Sequence, residues 1–169
     1  MVVAARFRIE KLRRNHAVDD FDCGRAELNR FLARFAWQGQ QSGASQTYVA
    51  FDGDKVVGFH TLVVGHVDYA DAPERLAKGL ARHPVPLMIL ARLGVSVGSQ
   101  GKGLGAGLLK DAIMRTLQAA DIAGIRAIAA HAKDDHAREF YRRFDFVEGP
   151  TDEHHMFLLL KDAKQHSES

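Results

Sequence analysis

Apolar residues recur along the chain with two different spacings, and these spacings predict the order of strands and helices. Alternating or continuous apolar runs predict strands at residues 7–12, 46–51, 55–69, 85–97, 125–130 and 155–160. Apolar positions three and four residues apart predict helices at residues 24–41, 71–80, 134–144 and directly after residues 100–105. The order β, α, β, β, α, β, α, β, α, β predicts an α/β (α+β) protein with a central mixed sheet flanked by helices. Its pairing should be antiparallel early and parallel around residues 100–105.

Some of these elements carry a packing expectation. The first helix should bury one face, formed by Leu28, Phe31, Leu32 and Phe35. The strand at 85–97 is apolar almost without interruption, so we expect it to be central and buried on both faces. The helix after residue 105 should point five side chains inward: Leu108, Leu109, Ala112, Ile113 and Leu117. Asp52-Gly53-Asp54 predicts a hairpin turn.

Composition narrows the class of protein. The 169 residues, 46% hydrophobic and 26% charged, fit one soluble globular domain, which we place at 1–163, followed by a frayed polar tail at 164–169. Cys23 is the sole cysteine, which rules out an intrachain disulfide and favours a reducing compartment. The longest apolar run, residues 86–91, is too short to span a membrane, so we expect a cytoplasmic protein with no membrane partner.

The stretch Gln100-Gly101-Lys102-Gly103-Leu104-Gly105 lies between the apolar strand and an amphipathic helix. Glycines allow positive φ and close backbone approach, and a helix start adds unpaired N–H groups, so together they predict a pyrophosphate cradle. A dinucleotide loop would follow the first strand, and a triphosphate loop would need Ser or Thr where Gly103 stands. A glycine-rich turn without a ligand stays open as an alternative.

This stretch resembles the [QR]-x-x-G-x-[GA] motif of the GNAT superfamily of acyltransferases, and the predicted element order matches that fold. The resemblance implies acetyl-coenzyme A as the donor, with the acetyl carbonyl polarised by a backbone N–H of the preceding strand. The implied cofactor-binding residues are Leu93, Gly94, Val95, Val97, Gln100, Gly101, Lys102, Gly103, Leu104 and Gly105. Many members carry an arginine before the glutamine, whereas residues 97–99 are Val-Gly-Ser here. More of the pyrophosphate binding should therefore come from backbone N–H groups, helped by Lys102. The two glycines of the strand, Gly94 and Gly98, would equally fit an ordinary core strand.

Residues 134–146 resemble the second conserved block of the family, N-x-x-A-x-x-[FL]-Y-x-x-x-G-F, with Asp134 for the Asn and Asp145 for the Gly. The resemblance places Tyr141 as the general acid that protonates the leaving thiolate. Pattern alone favours a core aromatic, because Tyr141 shares a helical stripe with Phe140 and Phe144. Asp tolerates the left-handed conformation that the missing Gly would supply, so the helix end should be preserved.

Other chemistry is weaker. His131 follows a predicted strand and could act as a base or contact the cofactor, although a structural role is the more usual one for such a histidine. The histidines show no helical pairing with carboxylates that would indicate zinc, so we expect no metal. Cys23 is alone and no motif for a covalent nucleophile is present, which favours direct attack by an amine in a ternary complex. No general base can be named.

A narrower resemblance concerns the acceptor. Residues 21–32 are similar to the F-D-C-G-x-x-x-L-N-x-F-L opening of GNAT toxins of bacterial toxin–antitoxin pairs. It implies acetylation of the amino group of an aminoacyl-tRNA, a homodimer, and a ribbon-helix-helix antitoxin as partner. Residues 1–34 hold eight Lys/Arg against five acids, and Arg30, Arg34 and Arg92 are candidates for contacts with RNA. The charges alone favour a solvated helix face over an RNA contact. Acetylation of a small-molecule or protein amine, and a non-catalytic acyl-coenzyme A-binding domain, stay open.

Overall fold

The computed structural model describes residues 7–80 and 82–167. The strands are β1 (Arg8–Lys11), β2 (Gln46–Asp52), β3 (Lys55–Val67), β4 (Val85–Val95), β5 (Ala127–His131), β6 (Val147–Glu148) and β7 (His155–Leu159). The α-helices are α1 (Ala26–Arg30), α2 (Ala36–Ser42), α3 (Glu74–Ala77), α4 (Leu104–Ala120), α5 (Asp135–Arg142) and α6 (Leu160–Ser167). A π-helical segment, Phe31–Phe35, joins α1 to α2, and 3₁₀ turns lie at Tyr69–Asp71 and Val97–Ser99. None of the helices in the described part of the chain is long and apolar enough to span a membrane.

The strands form one mixed sheet in the order β1-β2-β3-β4-β5-β7-β6. The pairs β1–β2 and β2–β3 are antiparallel, β4–β5 is parallel, and β5–β7 and β6–β7 are antiparallel. The expected change from antiparallel to parallel pairing is therefore confirmed. The hairpin turn is also confirmed: Asp52 pairs with Lys55, and Gly53 between them has φ of 64°.

The chain divides into two compact units, one taking Met1–Val63 with Ala91–Ala112 and the other Val64–Leu90 with Ile113–Ser169. In the first unit a core forms between the π-containing helix and strands β2 and β3. Its buried members are Leu12, Phe21, Cys23, Leu28, Leu32, Ala36, Val49, Phe51, Val56 and Phe59. A second cluster in this unit packs the start of α4 on the sheet through Phe7, Ala50, Val57, Leu104 and Leu108.

The second unit has its own core, built around β5, β7 and the start of β4. Its buried members are Val67, Ala72, Leu76, Ala77, Val85, Leu87, Ala127, Ala129, Phe157 and Leu159. Helix α3 is a single turn that packs on this core through its buried residues Leu76 and Ala77. The predicted helix at 71–80 is thus reduced to α3 and the preceding 3₁₀ turn.

The first helix differs from its expected pattern. It runs from Ala26 to Ser42, close to the predicted bounds, but the π-helical segment inserts one extra residue into a turn. The apolar face therefore shifts: Leu28 and Leu32 are buried as expected, Ala36 takes the next core position, and Phe35 is 51% exposed. The prediction that Phe35 belongs to the buried face is wrong because a uniform helical period does not hold here.

Other expectations need smaller corrections. Strand β4 is central, but its last residues, Ala91–Val95, are largely exposed or half-buried, with Gly94 the exception. In α4, Leu108, Leu109 and Ala112 are buried as predicted, Ile113 and Leu117 are only half-buried, and Thr116, which was not predicted to point inward, is fully buried. Residues 164–167, expected to be a frayed tail, belong to α6, and residues 168–169 lie outside the described residues. The short strand β6 was not predicted.

Candidate active site

The loop between β4 and α4 has the backbone that a pyrophosphate cradle requires. Gly101 and Gly103 have φ of 79° and 83°, a conformation that other residues adopt at a cost. A Cβ added at Gly101 would meet nothing within 4 Å, so the backbone conformation, not lack of space, requires glycine there. Residues 100–103 are exposed, and the first turn of α4 contains no acidic residue that would compete with an anion.

Leu104 fixes the start of this helix to the first unit. Its side chain is 2% exposed and packs with Val57 and Leu108, so only its backbone faces the loop. The N–H of Gly107 donates to the Gly103 carbonyl at 3.1 Å, so Gly103 caps the N-terminus of α4, whose first residue is Leu104. The N–H groups of the residues just before Gly107 have no partner further back in the helix and are the donors that an anion would meet.

The end of β4 presents an edge of backbone groups. The parallel pairing with β5 covers Met88 to Leu90, whereas β4 continues to Val95. Ser96 donates its N–H to the Val57 carbonyl at 2.8 Å, on the β3 side. Because successive residues of a strand point their peptide groups to opposite edges, Val95 and Leu93 direct theirs away from β3.

Lack of space for a side chain requires glycine at position 94. A Cβ at this position would lie 3.1 Å from the Phe59 ring and 3.6 Å from the Cys23 sulfur, so a larger residue would press on the core. Gly98 differs, because a Cβ there would meet nothing within 4 Å and its φ is not positive. Of the two glycines, Gly94 is therefore required by the packing of core side chains, and Gly98 is not.

Two predicted cofactor contacts are already engaged within the protein. The N–H of Val97 donates to the Asp22 carbonyl at 2.9 Å, so this donor is not available to a ligand, although the Val97 side chain is 57% exposed. The Gln100 side-chain amide donates to the carbonyls of Cys23 and Val95 at 3.2 and 3.0 Å. Gln100 thus holds the loop against its own unit through its side chain, and Lys102 remains exposed for an anion.

Tyr141 lies in the second unit, on α5. It is 9% exposed, and its ring packs at 5.3 Å from the rings of both Phe140 and Phe146. The core-aromatic hypothesis therefore describes its ring correctly. Burial raises the pKa of Tyr141 to about 12, so the phenol keeps its proton throughout the neutral range and can there give up a proton but not take one as a base.

Both ends of α5 are held by aspartates. Asp134 is the N-cap, and its carboxylate accepts the Ala137 N–H at 2.8 Å, a contact that lowers the pKa of Asp134. Asp145 has φ of 68°, the left-handed conformation expected from its place in the motif. The adjoining N–H of Phe146 donates to the Tyr141 carbonyl at 3.2 Å, which closes the helix end.

Comparison with known proteins agrees with these features. Residues 43–148 match the family model described as the acetyltransferase (GNAT) domain. The chain belongs to the GNAT acetyltransferase family. A curated relative from Mycobacterium tuberculosis (strain ATCC 25618 / H37Rv), named tRNA-acetylating toxin, is 45% identical over 147 residues, covering 87% of this chain and 88% of the relative.

Solved GNAT structures share the fold at lower identity. A tyrosine-to-phenylalanine mutant of KacT superposes with a TM-score of 0.88 at 23% identity, covering 95% of this chain and 98% of that chain. AtaT complexed with acetyl-methionyl-tRNAfMet gives 0.87 at 24% identity, covering 94% and 98%. AtaTR bound with AcCoA gives 0.81 at 24% identity, covering 95% and 98%. At these identities the likeness establishes the GNAT fold.

The three arginines proposed for RNA lie in the first unit of this GNAT chain. Arg30 and Arg34 are exposed, and neither makes an ion pair with a carboxylate of residues 7–80 and 82–167. Arg92 is half-buried and its guanidinium lies 3.8 Å above the centre of the Phe31 ring. The stacking holds the Arg92 side chain against Phe31 of the π-helical segment, whose ring also stacks on the buried Phe59 ring at 6.3 Å.

His131 lies in the second unit, near several other histidine and carboxylate side chains. The His131 and His155 rings lie 5.6 Å apart and are tilted by 35°, and the His131 ring is 3.5 Å from the Asp152 carboxylate. Ligand atoms of Asp135, Glu153 and His154 converge within 4.8 Å of one another, a spacing compatible with a cation. Arg138 already contacts the Glu153 carboxylate at 3.1 Å and that of Asp135 at 3.7 Å, so these charges are compensated within the chain.

Proposed function

We propose that this GNAT enzyme transfers the acetyl group of acetyl-coenzyme A to the amino group of an aminoacyl-tRNA. The observation that carries the donor side is the exposed glycine loop at the N-terminus of α4, where Gly101 and Gly103 have positive φ. The acceptor side is supported by the 45% identity to a protein named tRNA-acetylating toxin, which spans most of both chains.

The loop fits the pyrophosphate of the donor. Its backbone donors at the start of α4, the exposed Lys102 and the absence of an acidic side chain in the first turn of α4 all favour a negatively charged group. A Cβ at Gly105 would come 3.9 Å from the Val95 side chain, an ordinary contact, so we assign Gly105 to the loop through its backbone N–H at the start of α4. Val97 contributes its exposed side chain rather than its N–H, which Asp22 already holds.

Backbone groups of β4 bind the reacting end of acetyl-coenzyme A in this proposal. When bound, acetyl-coenzyme A supplies a thioester whose carbonyl carbon is open to attack by an amine. The N–H groups of Leu93 and Val95, directed away from β3, are the donors we assign to the pantetheine arm and to the negative charge that develops on the carbonyl oxygen. Being part of a strand, they are oriented before the substrate arrives.

Tyr141 is the proton donor in this proposal. The amine nitrogen forms a bond to the carbonyl carbon, the carbon–sulfur bond breaks, and the leaving sulfur accepts a proton from the Tyr141 hydroxyl. The amine loses its proton to solvent, and the Tyr141 phenolate takes a proton back from solvent. The step needs neither a metal nor a covalent enzyme intermediate. Because burial raises the pKa of Tyr141 to about 12, the donor is fully protonated at neutral pH.

We assign Arg30, Arg34 and Arg92 to the acceptor RNA. Arg30 and Arg34 lie on exposed positions of the N-terminal helix without carboxylate partners among the described residues, so they are available to phosphates. Arg92 is half-buried in the same unit, with its guanidinium stacked on Phe31, and a guanidinium is a group on which unpaired bases stack.

We further propose a toxin–antitoxin context for this activity. AtaT has been solved with the C-terminus of the antitoxin AtaR and with acetylated, charged tRNA. By analogy, a ribbon-helix-helix antitoxin would neutralise this chain, which would act as a homodimer in the cytoplasm. An adjacent gene for a small basic protein would support that partner.

The decisive experiment incubates the protein with acetyl-coenzyme A and a bulk pool of charged tRNA, followed by mass spectrometry of the aminoacyl ends. We expect N-acetylated ends on at least one isoacceptor. The variant Tyr141→Phe keeps the buried ring and should fold and bind acetyl-coenzyme A, while its turnover falls by about a hundredfold or more.

Parallel reactions with free amines and with peptides separate the alternatives. Acetylation of these acceptors without any acetylated isoacceptor would replace the RNA acceptor by a small-molecule or protein amine. Binding of acetyl-coenzyme A without turnover on any acceptor would instead make the chain a non-catalytic binding domain. Unchanged turnover in folded Tyr141→Phe would remove Tyr141 from the mechanism.

A further inference from the structure

A tight turn at Asp22-Cys23-Gly24 lies beside the loop proposed for the donor. The Asp22 carboxylate accepts the N–H of Gly24 at 2.8 Å through its Oδ1 atom, and Gly24 has φ of 86°. An aspartate that accepts a backbone N–H two residues ahead closes an Asx turn, and glycine supplies the left-handed position. The turn is therefore encoded locally by Asp22 and Gly24.

One side chain of the N-terminal helix holds both sides of this turn. Asn29 donates from Nδ2 to Oδ1 of Asp22 at 3.0 Å and accepts the Cys23 N–H on its own Oδ1 at 2.9 Å. The amide thus uses a donor and an acceptor at once, which fixes its orientation. These contacts also hold the pKa of Asp22 below its usual value, with the Gly24 N–H as the largest cause, so the carboxylate is ionised at neutral pH.

The turn points its carbonyls at the connection between β4 and the glycine loop. The Asp22 carbonyl accepts the Val97 N–H at 2.9 Å, and the Cys23 carbonyl accepts the Gln100 amide at 3.2 Å. These two contacts lie at the two ends of residues 97–100. Gln100 also donates to the Val95 carbonyl at 3.0 Å, so the turn, the strand end and the loop form one connected set.

We propose that Asp22 and Asn29 are positioning residues for acetyl-coenzyme A: they hold the turn whose carbonyls fix residues 97–100 in the conformation that binds the donor. The proposal rests on the donor assignment made above. A loop held in its binding conformation before the ligand arrives loses less entropy on binding, and this gain appears as affinity. Neither side chain touches the proposed pyrophosphate donors, so both act through Val97 and Gln100.

A purely structural role makes a different prediction. Asp22 is exposed and Asn29 is half-buried, so truncating either opens no large cavity in the core. A structural role would lower the melting temperature and leave donor affinity unchanged in the folded protein. A positioning role would raise the dissociation constant and the KM for acetyl-coenzyme A and leave kcat at saturating donor nearly unchanged, because the groups assigned to the chemical step stay in place.

The test compares Asp22→Ala and Asn29→Ala with the rescue variant Asp22→Asn. Both contacts to Asp22 reach the same oxygen, so the amide oxygen of Asn can accept both, whereas Ala can accept neither. Titration calorimetry and steady-state kinetics with acetyl-coenzyme A should give about a tenfold increase in dissociation constant and KM for the Ala variants, as expected for one or two lost hydrogen bonds. Asp22→Asn should stay within about threefold of wild type.

Asp20→Asn and Asp20→Ala are matched controls, because Asp20 is an exposed aspartate two residues away with no contact to the turn. Both should leave donor binding unchanged. If Asp22→Ala does not fold, Asn29→Ala still decides, since it leaves the contact between Asp22 and Gly24 intact. Wild-type affinity in folded Ala variants would overturn the positioning role alone. A wild-type protein without affinity for acetyl-coenzyme A would overturn both this role and the donor assignment.

Discussion

Asp145 carries backbone strain at the end of the helix that holds Tyr141. It is the one residue other than glycine with positive φ in the described ranges 7–80 and 82–167. Its place in the sequence, where a helix–turn motif has glycine, predicts this conformation. Short polar side chains tolerate it better than others because they can bond locally, but glycine adopts it without steric cost.

Asp145→Gly and Asp145→Ala form a matched pair, since both remove the carboxylate and differ only in the Cβ. We expect the Ala variant to be less stable than the Gly variant by about 1 kcal/mol, the typical cost of a left-handed alanine. For a chain of this size that corresponds to a difference of roughly 2–4 °C in melting temperature, measured by calorimetry. Equal melting temperatures would show that the turn relaxes in the Ala variant.

Residue roles were predictable where they depend on local chain geometry. The cap at Asp134 and the left-handed Asp145 follow from neighbours within three or four positions, and sequence indicates such contacts well. The engagement of Val97 by Asp22 and of Gln100 by Cys23 joins residues more than seventy positions apart. No spacing rule contains that information, which is why both were expected to face the donor.

At the scale of elements, the glycine loop was predictable from the sequence and the π-helical segment was not. The π-helical segment has an ordinary apolar period, and the extra residue that exposes Phe35 arises from packing that the period does not encode. The glycine loop is recognisable in the sequence, because other residues adopt positive φ only with steric strain. The loop was accordingly found from sequence, and the shifted helix face was not.

The loop gives a prediction with an internal control. Gly101→Ala and Gly103→Ala force alanine into positive φ, which shifts the backbone donors, so we expect the affinity for acetyl-coenzyme A to fall about tenfold. Gly98→Ala should bind as wild type, since its φ is not positive and a Cβ there meets nothing within 4 Å. Calorimetric titration checks all three; loss of affinity in Gly98→Ala as well would mean that the loop tolerates no substitution of any kind.

At the scale of the whole molecule, the mixed sheet and its change of direction were predictable, because each strand has its own period and flanking turns. The division into two compact units was not, since it depends on which distant residues pack together. The proposed donor loop and the arginines assigned to RNA belong to the first unit, and Tyr141 belongs to the second. Sequence order alone does not reveal that partition.

The net charge of +2 is too small to bind RNA by itself, so the proposed RNA contact depends on where the positive charges lie. If Arg30 and Arg34 contact phosphates, Arg30→Gln and Arg34→Gln should each weaken binding of charged tRNA across isoacceptors. Each should also reduce the slope of log affinity against log salt concentration by about 1. The KM for acetyl-coenzyme A should not change.

The control is Lys161→Gln, which removes an exposed cation on α6 of the second unit and should keep the wild-type slope. Fluorescence titrations over a salt series measure these slopes. Wild-type slopes in both arginine variants would leave the N-terminal helix as a solvated face and move the RNA contact elsewhere, because released counterions report directly on the number of phosphates bound.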